Sequence, residues 1–217
     1  ELAAHDHVLL VRYGHGAPQS AQQVLDVIAP RAVLRLAEAY LAGRGRGDQG
    51  WEDGFAANAA LQMRYLAERG HAVIAMVLPD YGIPLGDLRV HWAREAASML
   101  GLAPVASFVV PRPRAAGTDA VRAFLADHPA VTAVAAFDDD AAIRTLTAVA
   151  DLGLSAPGDL AVIGFDDIEY GALTTPALTT VHVDAEAHGR QAARAVLGLE
   201  PGDLAHPPGY VIVRDSA

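Results

Sequence analysis

Two runs of carboxylates stand where chemistry could be done: Asp138-Asp139-Asp140 and Asp166-Asp167, with Asp80 more isolated. Three consecutive acids can cap a helix, accept hydrogen bonds from a ligand, or gather a divalent cation. Consecutive residues at a helix start point in different directions, which disfavours a shared cation. Asp166-Asp167 follows Ile163-Gly164-Phe165. As an acid/base pair it would need a third group and a substrate pose. As an anchor for a sugar or other polar ligand it needs only a strand end, because a carboxylate accepts several hydroxyl hydrogen bonds. Arg89 reads either as a surface ion pair or as a fork of fixed donors reaching into a crevice. Arg89 stands at the start of a helix, and Arg112 directly follows a strand.

Several chemistries are excluded by residue type. All 16 basic residues are Arg and none is Lys, so Schiff-base and P-loop lysine chemistry have no residue to carry them. Without Cys there is no thiolate nucleophile, disulfide or Cys-ligated metal. No Ser lies in a Gly-x-Ser-x-Gly elbow. His5-x-His7 has no further ligand at a matching spacing, and the other histidines are scattered, so no metal or cofactor is expected. The net charge of −10 argues against grip on a nucleic acid backbone by this segment alone, since that needs clustered basic residues. No apolar run reaches the ~20 residues needed to span a bilayer. The acidic start at Glu1 does not read as a signal peptide, and a soluble protein is expected.

The elements that must position these residues alternate. Strands are expected at 8–11, 33–36, 73–78, 107–110, 131–137, 160–165, 180–183 and, as a last edge strand, 211–213. Helices are expected at 19–28, 55–69 (stopping at Gly70), 88–100, 118–127, 140–152 (closed by Gly153) and 185–199. The strands are unbroken apolar runs, as in a parallel sheet covered on both faces. Strand–helix repetition gives a doubly wound α/β fold, in which ligands sit beyond the carboxyl ends of the strands. Pro79-Asp80, Pro111-Arg112, Asp138-Asp139 and Asp166-Asp167 all occupy such positions. Gly43-Arg44-Gly45-Arg46-Gly47 lacks the following Lys-Ser/Thr of a phosphate loop and reads as a flexible connector between lobes.

The segment from Ala161 to Asp167 (AVIGFDD), with Leu173 to Val181 (LTTPALTTV), resembles the lactose repressor/galactose repressor (LacI/GalR) family of bacterial regulators. Pro129 to Asp139 looks like the family's strand ending in Asn-Asp, and Gly153 to Asp159 like the loop before its next strand. Leu66 to Ala75 is similar to the entry into the C-terminal lobe. The likeness is strong from about residue 52 to 199 and weaker over 1–40.

The resemblance implies a two-lobed, periplasmic-binding-protein-like (type I) fold with a small-molecule effector between the lobes. It implies a partial N-terminal lobe at 1–50, a C-terminal effector-binding lobe at 51–182, a return at 183–203, and a tail with edge strand at 204–217. By position, Arg89 matches the arginine that grips ligand hydroxyls, Asp138 the asparagine of Asn-Asp, and Asp166 the first aspartate after Gly-Phe/Tyr. Asp80 and Arg112 are possible additional contacts, and Arg112 stands where some members place an aromatic ring. Asp for Asn at 138 exchanges two donors for acceptors. The implied function is the effector-binding and dimerisation core of a cytoplasmic, non-enzymatic transcriptional regulator. It would be a homodimer that senses a sugar or similar metabolite and reaches operator DNA only through an N-terminal helix-turn-helix that precedes this segment in the family. A solute-binding protein of a sugar transporter shares the fold and is the alternative. The mean hydropathy of +0.22 fits a chain with apolar surface to bury against a second copy.

Overall fold

The computed structural model describes residues 49–81, 84–184 and 209–217. The elements expected at 8–11, 19–28, 33–36 and 185–199, the Gly43–Gly47 stretch and His5-x-His7 lie outside the described residues. The chain divides into two units, one of Glu1–Glu52 with Asp184–Pro207, the other of Asp53–Val183 with Pro208–Ala217. The second unit carries the sheet and every strand-end residue singled out above.

The described elements run α1 (Gln49–Glu68), β1 (Ile74–Pro79), α2 (Pro84–Met99), β2 (Ala106–Val110), α3 (Arg114–Asp127), β3 (Ala133–Ala136), α4 (Asp139–Asp151) and β4 (Ala161–Phe165). A 3-10 turn (Glu169–Leu173), β5 (Thr179–His182) and β6 (Tyr210–Ile212) complete the order. The strands form one sheet in the order β2-β1-β3-β4-β5-β6. The first five are parallel, and β6 runs antiparallel to β5.

Side chains on a strand alternate between faces, so unbroken apolar runs must feed two cores. Ile74, Met76, Ala133, Ala135 and Ile163 pack with Met63 and Leu66 of α1 and with Val90, Ala93 and Ala97 of α2. Ala75, Val77, Val134, Ala136 and Val162 pack with Val121 and Phe124 of α3 and with Ala142, Leu146 and Val149 of α4. Strand β2 departs from the expected pattern: Ser107 and Val109 are exposed, because the strand lies at the sheet edge and only its face of Ala106, Phe108 and Val110 packs into a core. Gly153 follows α4 at φ +73°, a left-handed position that glycine adopts at little cost.

The tail is stitched into the sheet. Ser216 Oγ accepts from Thr179 N (2.9 Å) and donates to Val162 O (2.6 Å), and Val162 N donates to Ser216 O (2.8 Å). Tyr65 Oη of α1 donates to Ala217 O at 2.8 Å.

One residue before the end of β4, Gly164 is a close approach. A Cβ there would stand 2.0 Å from Asp139 Oδ1 and 2.9 Å from Leu178 Cδ2. Both neighbours are buried, so neither can swing into solvent. Gly164→Ala is therefore expected to lower stability by about 2 kcal/mol or more, in the upper part of the range for overpacked cores. Urea unfolding followed by circular dichroism checks this; a midpoint equal to that of the unsubstituted chain would contradict the packing described.

Candidate functional site

The carboxyl ends of the parallel strands deliver the polar residues to one edge of the sheet. Asp80 and Tyr81 follow β1, Arg112 follows β2, Asp138 follows β3, and Asp166-Asp167 follow β4. Arg89 reaches the same edge from the second turn of α2, which begins at Pro84, four residues ahead of the expected start.

Arg89 is 1% exposed, so the surface ion pair is excluded for it. Its guanidinium lies 3.6 Å from the centroid of the Phe165 ring, and its Nη2 donates to Gln62 Oε1 at 3.3 Å. Gln62, fully buried on α1, donates from Nε2 to Ala136 O and Gly164 O, each at 2.9 Å. These carbonyls belong to the ends of β3 and β4. The amide thus uses both donors and its acceptor, which is what a buried amide needs.

The three carboxylates at the start of α4 go three ways. Asp138, fully buried, caps the helix by accepting from Ala141 N at 2.8 Å, while its Oδ2 accepts from Tyr81 Oη at 2.6 Å. Asp139 Oδ1 accepts from Thr180 Oγ1 (2.5 Å) and its Oδ2 from Ile168 N (2.8 Å). Asp140 pairs with Arg144 Nε at 2.9 Å. Capping is thus seen directly. Burial pushes the Asp139 carboxyl up to about 6, with the hydrogen bond from Thr180 opposing the rise and repulsion from Asp166 adding to it.

Asp166 and Asp167 both take left-handed backbone conformations, φ +102° and +52°. Non-glycine residues pay of order 1–3 kcal/mol each for such geometry, and it persists where the surroundings over-determine it. Asp166 N donates to Val181 O (3.0 Å). The Asp167 carboxylate accepts from Arg214 Nη2 (2.9 Å) and lies 3.1 Å from His182 Nδ1. On the β2 side, Arg112 N donates to Asp80 Oδ2 (2.9 Å), and the Arg112 guanidinium stands 5.1 Å from the Tyr81 ring centroid. Asp80 and Arg112 are the more exposed members of the edge.

Sequence patterns do not single out Gln62 or Tyr81. The signal for Gln62 is a polar residue inside the apolar helical stripe Ala59, Met63, Leu66. The Tyr81 ring stands beside the Arg112 guanidinium.

The periplasmic binding protein-like domain family matches residues 63–216. Over 148 residues the chain is 31% identical to the transcriptional repressor PurR of Edwardsiella ictaluri, covering 67% of this chain and 42% of that protein. Over 134 residues it is 32% identical to the ribose operon repressor of Escherichia coli, covering 61% of this chain and 41% of that protein. The chain thus spans less than half the length of these curated relatives. Among solved structures it is similar to a LacI-family sugar-binding transcriptional regulator from Escherichia coli complexed with phosphate. The TM-score is 0.61 at 28% identity, over 76% of this chain and 61% of the other. A LacI-family regulator from Arthrobacter sp. FB24 in complex with lactose gives a TM-score of 0.60 at 25% identity, over 75% and 64%.

Removal of the Gln62 amide leaves the Ala136 and Gly164 carbonyls and the Arg89 guanidinium each short of one partner. An orphaned buried polar group costs about 1–3 kcal/mol. Gln62→Leu, similar in size, is therefore expected to lose more than about 2 kcal/mol in urea unfolding. A change within ~0.5 kcal/mol, the usual range of surface substitutions, would show the amide to be dispensable.

Proposed function

Since the chain belongs to the periplasmic binding protein-like domain family, in the form found in LacI/GalR regulators, we propose that it senses a small polar metabolite at the carboxyl edge of its sheet. The ligand proposed is a sugar, and the chain is the effector-binding and dimerisation core of a cytoplasmic, non-enzymatic transcriptional regulator. Operator DNA is bound through a helix-turn-helix outside this segment. The observation that carries the reading is that a buried guanidinium, Arg89 on the face of Phe165, and the carboxylates of Asp138 and Asp166, which follow the neighbouring strands β3 and β4, come to one edge of the sheet.

The chemistry suits a polyol. Arg89 presents donors in a fixed fork for ring or hydroxyl oxygens, its orientation set by Gln62 and Phe165. Asp138 and Asp166 present acceptors for hydroxyl hydrogens. Tyr81 Oη, now on Asp138, can exchange that partner for a ligand hydroxyl. Asp80 and Arg112 flank the mouth, where their exposure lets them adjust to a larger ligand. Ligand held at this edge would favour one arrangement of the lobes over another and so bias DNA binding. The regulators of metabolism among the relatives favour this reading over a transporter's solute-binding protein.

Thermal-shift and calorimetric titrations with D-ribose and lactose test the reading, because a ligand that binds only the folded chain raises Tm by mass action. Where one of them binds, Asp166→Asn and Arg89→Lys, both milder than truncation to Ala, are expected to weaken it at least tenfold, or about 1.4 kcal/mol. Unchanged affinity in both variants would remove these residues from the site.

A further inference from the structure

Asp139 is set apart from the acids around it. Asp138 is engaged by Tyr81 Oη and Ala141 N, Asp140 by Arg144, and Asp167 by Arg214 and His182. Asp139 is fully buried, and its hydrogen bonds come from neutral groups: the Thr180 hydroxyl on β5, Ile168 N in the turn after β4, and the backbone of Phe165. The charged group acting on it is another carboxylate, that of Asp166 in the same turn. Space for it exists because residue 164 has no side chain, Asp139 Oδ1 standing 2.0 Å from where a Cβ would be.

This placement lets the carboxyl gain or lose a proton without losing its partners. Ionised, both oxygens accept, from Thr180 Oγ1 and Ile168 N. Protonated on Oδ1, it donates to Thr180 Oγ1, a hydroxyl that can accept as readily as donate, while Oδ2 still accepts from Ile168 N. The turn that carries Asp166 is tied down in either state.

We propose that Asp139 is a positioning residue for Asp166: it clamps the left-handed turn from behind and, by holding or releasing a proton there, sets how strongly Asp166 accepts hydrogen bonds from a ligand. This rests on the reading of Asp166 as a ligand contact. Two neighbouring carboxylates raise each other's proton affinity. Asp166 is therefore the stronger acceptor when Asp139 is ionised, and hydroxyl ligands bind more tightly above the Asp139 midpoint than below it. That midpoint, pushed up to about 6, lies in a range a cell can cross. Stability runs the other way. An acid raised in the folded state contributes stability that is complete below the ordinary value of 3.8 and is lost as pH rises through about 6.

Carboxyl-carbon NMR titration of the 217-residue chain tests the coupling without any ligand. Asp139 is expected to titrate near 6. Asp166→Asn removes the repelling charge and should lower the midpoint by at least ~0.5 pH unit. Thr180→Val removes a donor to the anion and should raise it, while Thr180→Ser keeps the hydroxyl and should leave it in place. A residue that merely packs would not move in opposite directions in these variants. An Asp139 midpoint near 4, or one unmoved by both Asp166→Asn and Thr180→Val, overturns the proposal. Should Asp166→Asn fail to fold, the Thr180 pair decides the question alone. Failure of the sugar reading looks different: titrations with D-ribose and lactose stay blank while the Asp139 midpoints still shift.

Discussion

The side-chain amide of Gln62 meets a demand that any parallel sheet creates. Where strands stop, the last carbonyls lose their ladder partners, and in a covered sheet water is not there to replace them. At the end of β3 one donor of Gln62 fills that role for Ala136 O, the other reaches Gly164 O one residue inside the end of β4, and the amide oxygen faces the guanidinium of Arg89. A buried arginine is costly unless its charge is met by acceptors and a polarisable surface. Here Gln62 supplies the first and the Phe165 ring the second. The cation of the proposed site, on α2, is thus oriented by a side chain of α1, the helix that packs beside α2 on the same face of the sheet.

The acidic side of the edge is held by the same logic of full engagement. The turn at Asp166-Asp167 sits in a strained backbone region and is braced from three directions. Val181 O takes the Asp166 amide, Arg214 and His182 hold the Asp167 carboxylate, and Asp139 holds Ile168 N. In the proposed site, strain that is over-determined in this way amounts to preorganisation, which leaves less ordering for binding to oppose. The stitched tail contributes as well, since Arg214 and Ser216 both lie in it.

Much of this is legible in the residues. The strands at 73–78, 107–110, 131–137, 160–165 and 180–183 fall within two residues of β1 to β5, because continuous Val, Ile and Ala runs have few alternatives to a sheet covered on both faces. The edge strand expected at 211–213 appears one residue earlier, at Tyr210–Ile212. The strand-end rule by itself brings Asp80, Arg112, Asp138 and Asp166 to one edge. Burial of Arg89 is not legible, because an arginine in a helix among Asp87, His91 and Arg94 looks like a solvated face. That Asp138, Asp139 and Asp140 diverge is legible from the helix start, but which of them is buried among neutral donors is not. The room for Asp139 comes from the absence of a side chain at Gly164, far along the chain. Gln62 escapes for a related reason, since its partners are backbone carbonyls 74 and 102 residues away.

In the proposed reading, this chain meets its ligand at the carboxyl edge of the sheet. Backbone amide chemical shifts recorded during titration with D-ribose or lactose test it most directly. Perturbations are expected to gather at Asp80-Tyr81, Arg112, Phe137-Asp138 and Asp166-Asp167, with Val73, Val131 and Leu160 at the opposite ends of the strands unmoved. Saturable perturbations centred on that opposite edge, with the carboxyl edge silent, would contradict it.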